Sequence, residues 1–113
     1  MNRGEVFLAP FPYADLQGSK RRPVCVVSTS EYNQAADPLV AMVTSSRTRL
    51  TSPGVGDVVV SFWKNAGLLQ PSVARVGKLF AIETRLLTGP LGSLDASDRA
   101  AVDQALKLVL GLP

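Results

Sequence analysis

Histidine is missing from all 113 residues, and cysteine occurs once. The first absence removes the usual proton shuttle near neutral pH, the Ser-His-Asp and Cys-His nucleophile systems, and the commonest zinc ligand. An enzyme built from this chain has to move protons through hydroxyls, arginines, carboxylates, the backbone or water. The lone Cys25 cannot close an internal disulfide and belongs to no thiolate metal cluster. Set inside an apolar run, it reads as a small buried hydrophobe in a reducing compartment. Aromatic residues make up only 6% of the chain and follow no alternating aromatic–basic stripe. No apolar segment approaches membrane-spanning length, and "MNRGEVFLAPFPY" lacks the apolar core of a signal peptide, so a soluble cytoplasmic protein with no membrane partner is expected. Repeats, low-complexity tracts and interdomain linkers are absent as well.

The hydrophobic fraction is 46%, the charged fraction 19% and the net charge +3, with a pI near 9.4. That composition is globular, and residues 1–113 are the length of a single domain with one modest core, a size that often gains stability by oligomerising. The basic balance is compatible with a polyanionic partner without naming one.

The first half reads as strands punctuated by turn residues. "EVFLAPF" (5–11) is strand-like until its prolines. "YADLQGSKRR" is a loop of about ten residues, long for a hairpin and therefore a place for function. "PVCVVS" (23–28) and "LVAMVTSS" (39–46) have the continuous apolar pattern of central strands covered on both faces. Between them, "TSEYNQAADP" is polar and turn-prone, with room for one helical turn. "RTRLTSPGVGD" reads as a flexible basic loop, "DVVVSF" (57–62) as a strand, and 72–76 with 79–82 as one or two more. The period then changes. Val102, Ala105, Leu106, Val109 and Leu110 fall at helical spacing, with Asp95 as N-cap, Asp98 in the first turn and Gly111 as the stop. The fold class expected is mainly β with a C-terminal α-helix: five or six antiparallel strands forming a small barrel-like sheet.

Lys20, Arg21 and Arg22 stand immediately before Pro23, which biases Arg22 to an extended backbone at the start of a central strand. An arginine fixed at a strand end offers a planar, permanent fork that suits a phosphate; a solvated loop is the alternative. Thr44 ends the next central strand, and Ser45, Ser46, Arg47 and Arg49 follow it, hydroxyls and cations able to meet phosphate oxygens. Arg75, in "SVARV", has apolar neighbours and needs water, an anion or a carboxylate partner. Phe62, Trp63 and Tyr13 lie near these loops, as core, as interface or as stacking faces for unpaired bases.

"RGEVFLAPFPYADLQGSKRRPVCVVS", "LVAMVTS" and "GLLQPSVARVGKLFAIETRLL", in that order and over nearly the whole chain, resemble the MazF/PemK family of bacterial type II toxin–antitoxin ribonucleases. The resemblance implies a small antiparallel β-barrel of the MazF/PemK/CcdB toxin type. It also implies a homodimer, a cognate antitoxin protein as partner, and single-stranded RNA as substrate, cut at short motifs without metal or cofactor. Carried over by position, the family's arginine before proline falls on Arg22 and its strand-end threonine on Thr44, with Arg75 as a third catalytic candidate. Gln17, Lys20, Arg21, Ser45, Ser46, Arg47 and Arg49 are then candidates for holding RNA. The implied reaction is attack by a ribose 2′-hydroxyl on the adjacent phosphorus, leaving a cyclic phosphate and a 5′-hydroxyl end. Some relatives carry Arg-x-Asp on the late strand, where this chain has Arg75-Val76-Gly77. Some also have a histidine or glutamate in the first long loop, where Gln17 and Gly18 stand here. Asp15, Thr44 and solvent are the remaining proton acceptors. A non-catalytic module on the same fold is the alternative, either gyrase-binding, whose C-terminal signature is not evident in "KLVLGLP", or an antitoxin-sequestering paralogue.

Overall fold

A computed structural model describes residues 1–10 and 20–113. Its strands are β1 (Glu5–Pro10), β2 (Arg21–Val26), β3 (Leu39–Thr44), β4 (Asp57–Val60), β5 (Ser72–Ala81) and β6 (Thr88–Ser93). They form one sheet in the order β4-β5-β3-β2-β1-β6, and every neighbouring pair is antiparallel. The expected barrel is therefore not closed: β4 and β6 are the two edges, and no ladder joins them among the described residues. The edges meet instead through the turn after β4, which lies so close to β6 that a Cβ at Gly92 would stand 2.7 Å from the backbone of Ala66 and Asn65.

Strand alternation sorts the apolar side chains into two cores. Val6, Cys25, Ala41, Val43, Ala74 and Val76 point to one face, where Val102 of the C-terminal helix covers them. Phe7, Ala9, Val24, Val26, Val40 and Ile82 point to the other. The valine-rich centre is thus buried on both sides, as its unbroken apolar run requires. The two late strand pieces are one strand, β5, carrying an irregularity where the register jumps from Ala41↔Leu79 to Met42↔Arg75. β6, with sequence TGPLGS, has no apolar alternation to announce it; it exists because β1 offers an edge that Glu5, Val6 and Leu8 pair with Ser93, Gly92 and Thr88.

Among the described residues three α-helices, α1 (Ser30–Ala35), α2 (Arg47–Thr51) and α3 (Ala96–Leu110), and a 3-10 turn at Thr84–Leu86 accompany the sheet. The segment read as a flexible basic loop contains α2, whose end is secured when the Thr51 hydroxyl donates to the Arg47 carbonyl at 3.0 Å. α3 begins at Asp95, whose side chain accepts the Ser97 N–H at 2.9 Å, and ends at Gly111 with φ 68°. The left-handed conformation there favours glycine. The expected apolar stripe is buried at Val102 and partly so at Ala105 and Leu106. It fails in the last turn, where Val109 is 40% and Leu110 52% exposed, although Val109 still approaches Gly56. No helix of the described residues is long and apolar enough to cross a membrane.

Candidate active site

The ladders decide which basic and hydroxyl side chains can act together. β2 pairs with β3 through Val24↔Met42, and this register carried two residues further sets Arg22 opposite Thr44. On the other side Arg22 pairs with Ala9, whose methyl belongs to the second core. Val24, Val26 and Val40 point into that core, so alternation gives Arg22 and Thr44 the same face. Arg75 lies opposite Met42, between Ala74 and Val76 of the first core, and therefore also projects to the second face. Arg22 is exposed, Thr44 half-buried, and the Arg75 side chain 21% exposed. One end of one sheet face thus presents a guanidinium, a hydroxyl and a second guanidinium from three adjacent strands.

Thr44 is oriented locally. Its Oγ1 accepts the backbone N–H of Ser46 at 3.2 Å, which leaves the hydroxyl proton to be donated elsewhere. Arg75 is held by Asp57, directly opposite it on β4: Nε donates to Oδ1 at 3.2 Å. The Asp57 side chain is only 3% exposed, and its Oδ2 accepts the Gly54 N–H at 2.8 Å and lies 3.8 Å from Nη1 of Arg49. The sequence reading treated Asp57 as the first residue of a strand and missed this role. An arginine flanked by small apolar residues signals the need for a partner, but that Asp57 supplies it follows only from β4 lying beside β5.

The other candidates divide. Lys20, Ser45, Ser46 and Arg47 are exposed around this end of the sheet, while Arg49 is partly committed to Asp57. Arg21 alternates away from Arg22. Its Nη1 donates to the Leu86 carbonyl at 2.9 Å, and with Pro23, Leu8, Ser45 and Leu91 it lines a cavity of about 340 Å³. Gln17, together with Tyr13, Asp15 and Gly18, lies outside the described residues. Trp63 packs against the first core with the Lys64 ammonium 5.5 Å from its ring centroid, and Phe62 beside it is 49% exposed. Gly77 faces open space, with nothing within 4 Å of an added Cβ. Cys25 is buried, and that burial pushes its thiol pKa up to about 12, far from reactive. Among the described residues no group of three or more cysteine and carboxylate side chains is arranged to hold a metal ion.

Comparison with known proteins bears on the fold and the family. The chain is 30% identical, over 99% of its length and 98% of theirs, to the endoribonuclease MazF2 of Mycobacterium bovis and the endoribonuclease MazF6 of Mycobacterium tuberculosis. Its fold matches that of a mycobacterial endoribonuclease solved with its cognate antitoxin, with a TM-score of 0.80 at 20% identity, covering 100% of this chain and 97% of that one. The Mycobacterium tuberculosis toxin MazF-mt6 superposes with a TM-score of 0.74 at 23% identity, over 96% of this chain and 98% of the other. Residues 2–110 match the model of the PemK-like, MazF-like toxins of type II toxin–antitoxin systems, and the chain belongs to that family.

Proposed function

We propose that this chain is the toxin of a type II toxin–antitoxin system, a cytoplasmic endoribonuclease that cuts single-stranded RNA at short motifs and is held in check by a cognate antitoxin. The relatives at 30% identity are named endoribonucleases, and a structural neighbour was solved with its antitoxin. The observation that carries the reading is the shared face of Arg22 and Thr44, with Arg75 on the adjoining strand.

The chemistry suits a protein without histidine. The nucleophile is the substrate's own 2′-hydroxyl, which attacks phosphorus, loses its proton to solvent, and expels the 5′-oxygen, which takes up a proton from water. Negative charge builds on the non-bridging oxygens as phosphorus becomes pentacoordinate. A guanidinium fixed at a strand end and a hydroxyl whose acceptor side is already occupied stabilise that charge more than they stabilise the ground state. Holding attacking oxygen, phosphorus and leaving oxygen in line removes several kcal/mol of barrier by itself, about 7 or more in well-oriented systems. Asp57 is not the proton acceptor in this scheme, because it is buried and both of its oxygens are engaged. The family resemblance further implies a homodimer.

Purified protein incubated with single-stranded RNA in excess chelator tests the reading. Fragments ending in cyclic phosphate and 5′-hydroxyl are expected, and Thr44→Val should slow their formation by about 10²-fold, the effect of losing one donor to a developing oxyanion. Intact RNA after prolonged incubation of the wild-type protein would overturn it.

A further inference from the structure

Asp57 is buried, charged and distant in sequence from every residue discussed as catalytic. A carboxylate with 3% of its side chain exposed is costly unless its charge is compensated. Here it is compensated three times, by the Nε of Arg75, the N–H of Gly54 and the guanidinium of Arg49. These partners come from β5, from the loop before β4 and from α2, so one side chain ties together the elements that frame one end of the site. The bond to Arg75 goes to Nε rather than to the terminal nitrogens. A guanidinium is planar, so pinning Nε at 3.2 Å fixes the plane and directs the paired Nη edge away from Asp57.

We infer that Asp57 is a positioning residue for the cleavage reaction. It holds Arg75 in the plane from which its Nη edge meets the scissile phosphate, and draws Arg49 and its helix in against that arrangement. The inference rests on the endoribonuclease reading above and adds a carboxylate that never touches substrate. The late-strand glycine, Gly77, has no side chain to act, and the carboxylate near Arg75 comes instead from the neighbouring strand.

A double-mutant cycle on RNA cleavage separates this role from simple structural support. Asp57→Asn should lower kcat about tenfold to a hundredfold with KM changed less than threefold, the range for supporting groups of this kind. In an Arg75→Ala background the same substitution should lower kcat less than twofold, since the guanidinium that Asp57 orients is gone and its remaining contacts, to Gly54 and Arg49, do not reach the phosphate through Arg75. Equal losses in both backgrounds overturn the inference while leaving the endoribonuclease reading intact, whereas a wild-type protein that does not cut RNA overturns both. Wild-type protein gives a second measurement that does not require the variant to fold. The Arg75 Nε–H resonance, assigned by its disappearance in Arg75→Lys, should exchange with water far more slowly than those of exposed arginines. Exchange as fast as theirs would also overturn the inference.

Discussion

Asp98, in the first turn of α3, accepts the backbone N–H of Ser61 at 3.0 Å and that of Phe62 at 2.9 Å, so the helix start is bonded to the chain leaving β4. With Asp98 only 3% exposed, both bonds are sheltered from water. Hydrogen bonds to a charged group contribute about 1.5–3 kcal/mol each, and a buried donor left without a partner costs a similar amount. Asp98→Ala should therefore lower unfolding free energy by about 3 kcal/mol, and Asp98→Asn by less, because one amide oxygen still accepts. Urea unfolding of the three proteins measures this; a loss below about 0.5 kcal/mol for the alanine variant would mean that the edge is held elsewhere.

The meeting of the two sheet edges gives a second expectation. Gly67 has φ +76° and an added Cβ would run into the Leu91 carbonyl, while at Gly92 it would stand 2.7 Å from the Ala66 backbone. Both obstacles are main chain and cannot rotate away, so Gly67→Ala and Gly92→Ala should each cost about 3 kcal/mol or more. Gly77→Ala, with nothing within 4 Å, is the control and should stay within about 1 kcal/mol of wild type. Thermal unfolding that ranks Gly77→Ala with the other two would contradict this account of how the open sheet is closed.

These two edges were also where sequence reading gave out. The central strands were legible because "PVCVVS" and "LVAMVTSS" are apolar without interruption, and the observed β2 and β3 differ from them by about two residues at the ends. The caps of α3 were legible because Asp95 and Gly111 have local reasons to stand there. β6 was not: a strand made of Thr, Gly, Pro, Leu, Gly and Ser depends on a partner far away in the chain, and its glycines answer to a turn that periodicity does not reveal. Barrel closure was overread for the same reason, since a sheet order with unpaired ends looks identical to a closed one in sequence. At the site, Arg22 and Thr44 came from a motif and Arg75 from its apolar neighbours. Asp57 required knowing that β4 lies beside β5.

Cys25 connects packing to pH. Burial raises its thiol from 9.0 to about 12 in the folded protein. The unfolded chain therefore releases this proton first as pH rises, so the stabilisation is complete below about pH 9 and is lost progressively up to about pH 12, at about 1.4 kcal/mol per pH unit. Cys25→Ala lacks this contribution. The stability gap between wild type and Cys25→Ala, measured by urea titration at pH 8, 9.5 and 10.5, should shift in favour of the alanine variant at the upper values. The native thiol should also resist alkylation at pH 8 and react fully in denaturant; a gap independent of pH would show that the thiol ionises without unfolding.

Arg21 and Arg22 are adjacent cations with the same charge, and strand alternation separates them. Arg22 shares its face with Thr44 and Arg75, whereas Arg21 is the alternate residue of the strand and its Nη1 is taken up by the Leu86 carbonyl. If proximity of positive charge alone drove catalysis, neutralising either would slow cleavage alike. If a directed guanidinium is needed, the two variants must differ. Arg22→Ala should lower kcat by about 10²–10³-fold, the loss expected for a main electrostatic stabiliser of the transition state. It should also flatten the slope of log affinity against log salt by about 0.7, the value for one phosphate contact on a single strand. Arg21→Ala should lower kcat less than tenfold, while losing some stability because its bond to the Leu86 carbonyl goes with it. Cleavage rates and RNA affinities for both variants, measured over a range of salt concentrations, decide between the two. Equal rate losses would mean that charge density near the strand end, rather than the direction set by the β2–β3 register, is what the reaction uses.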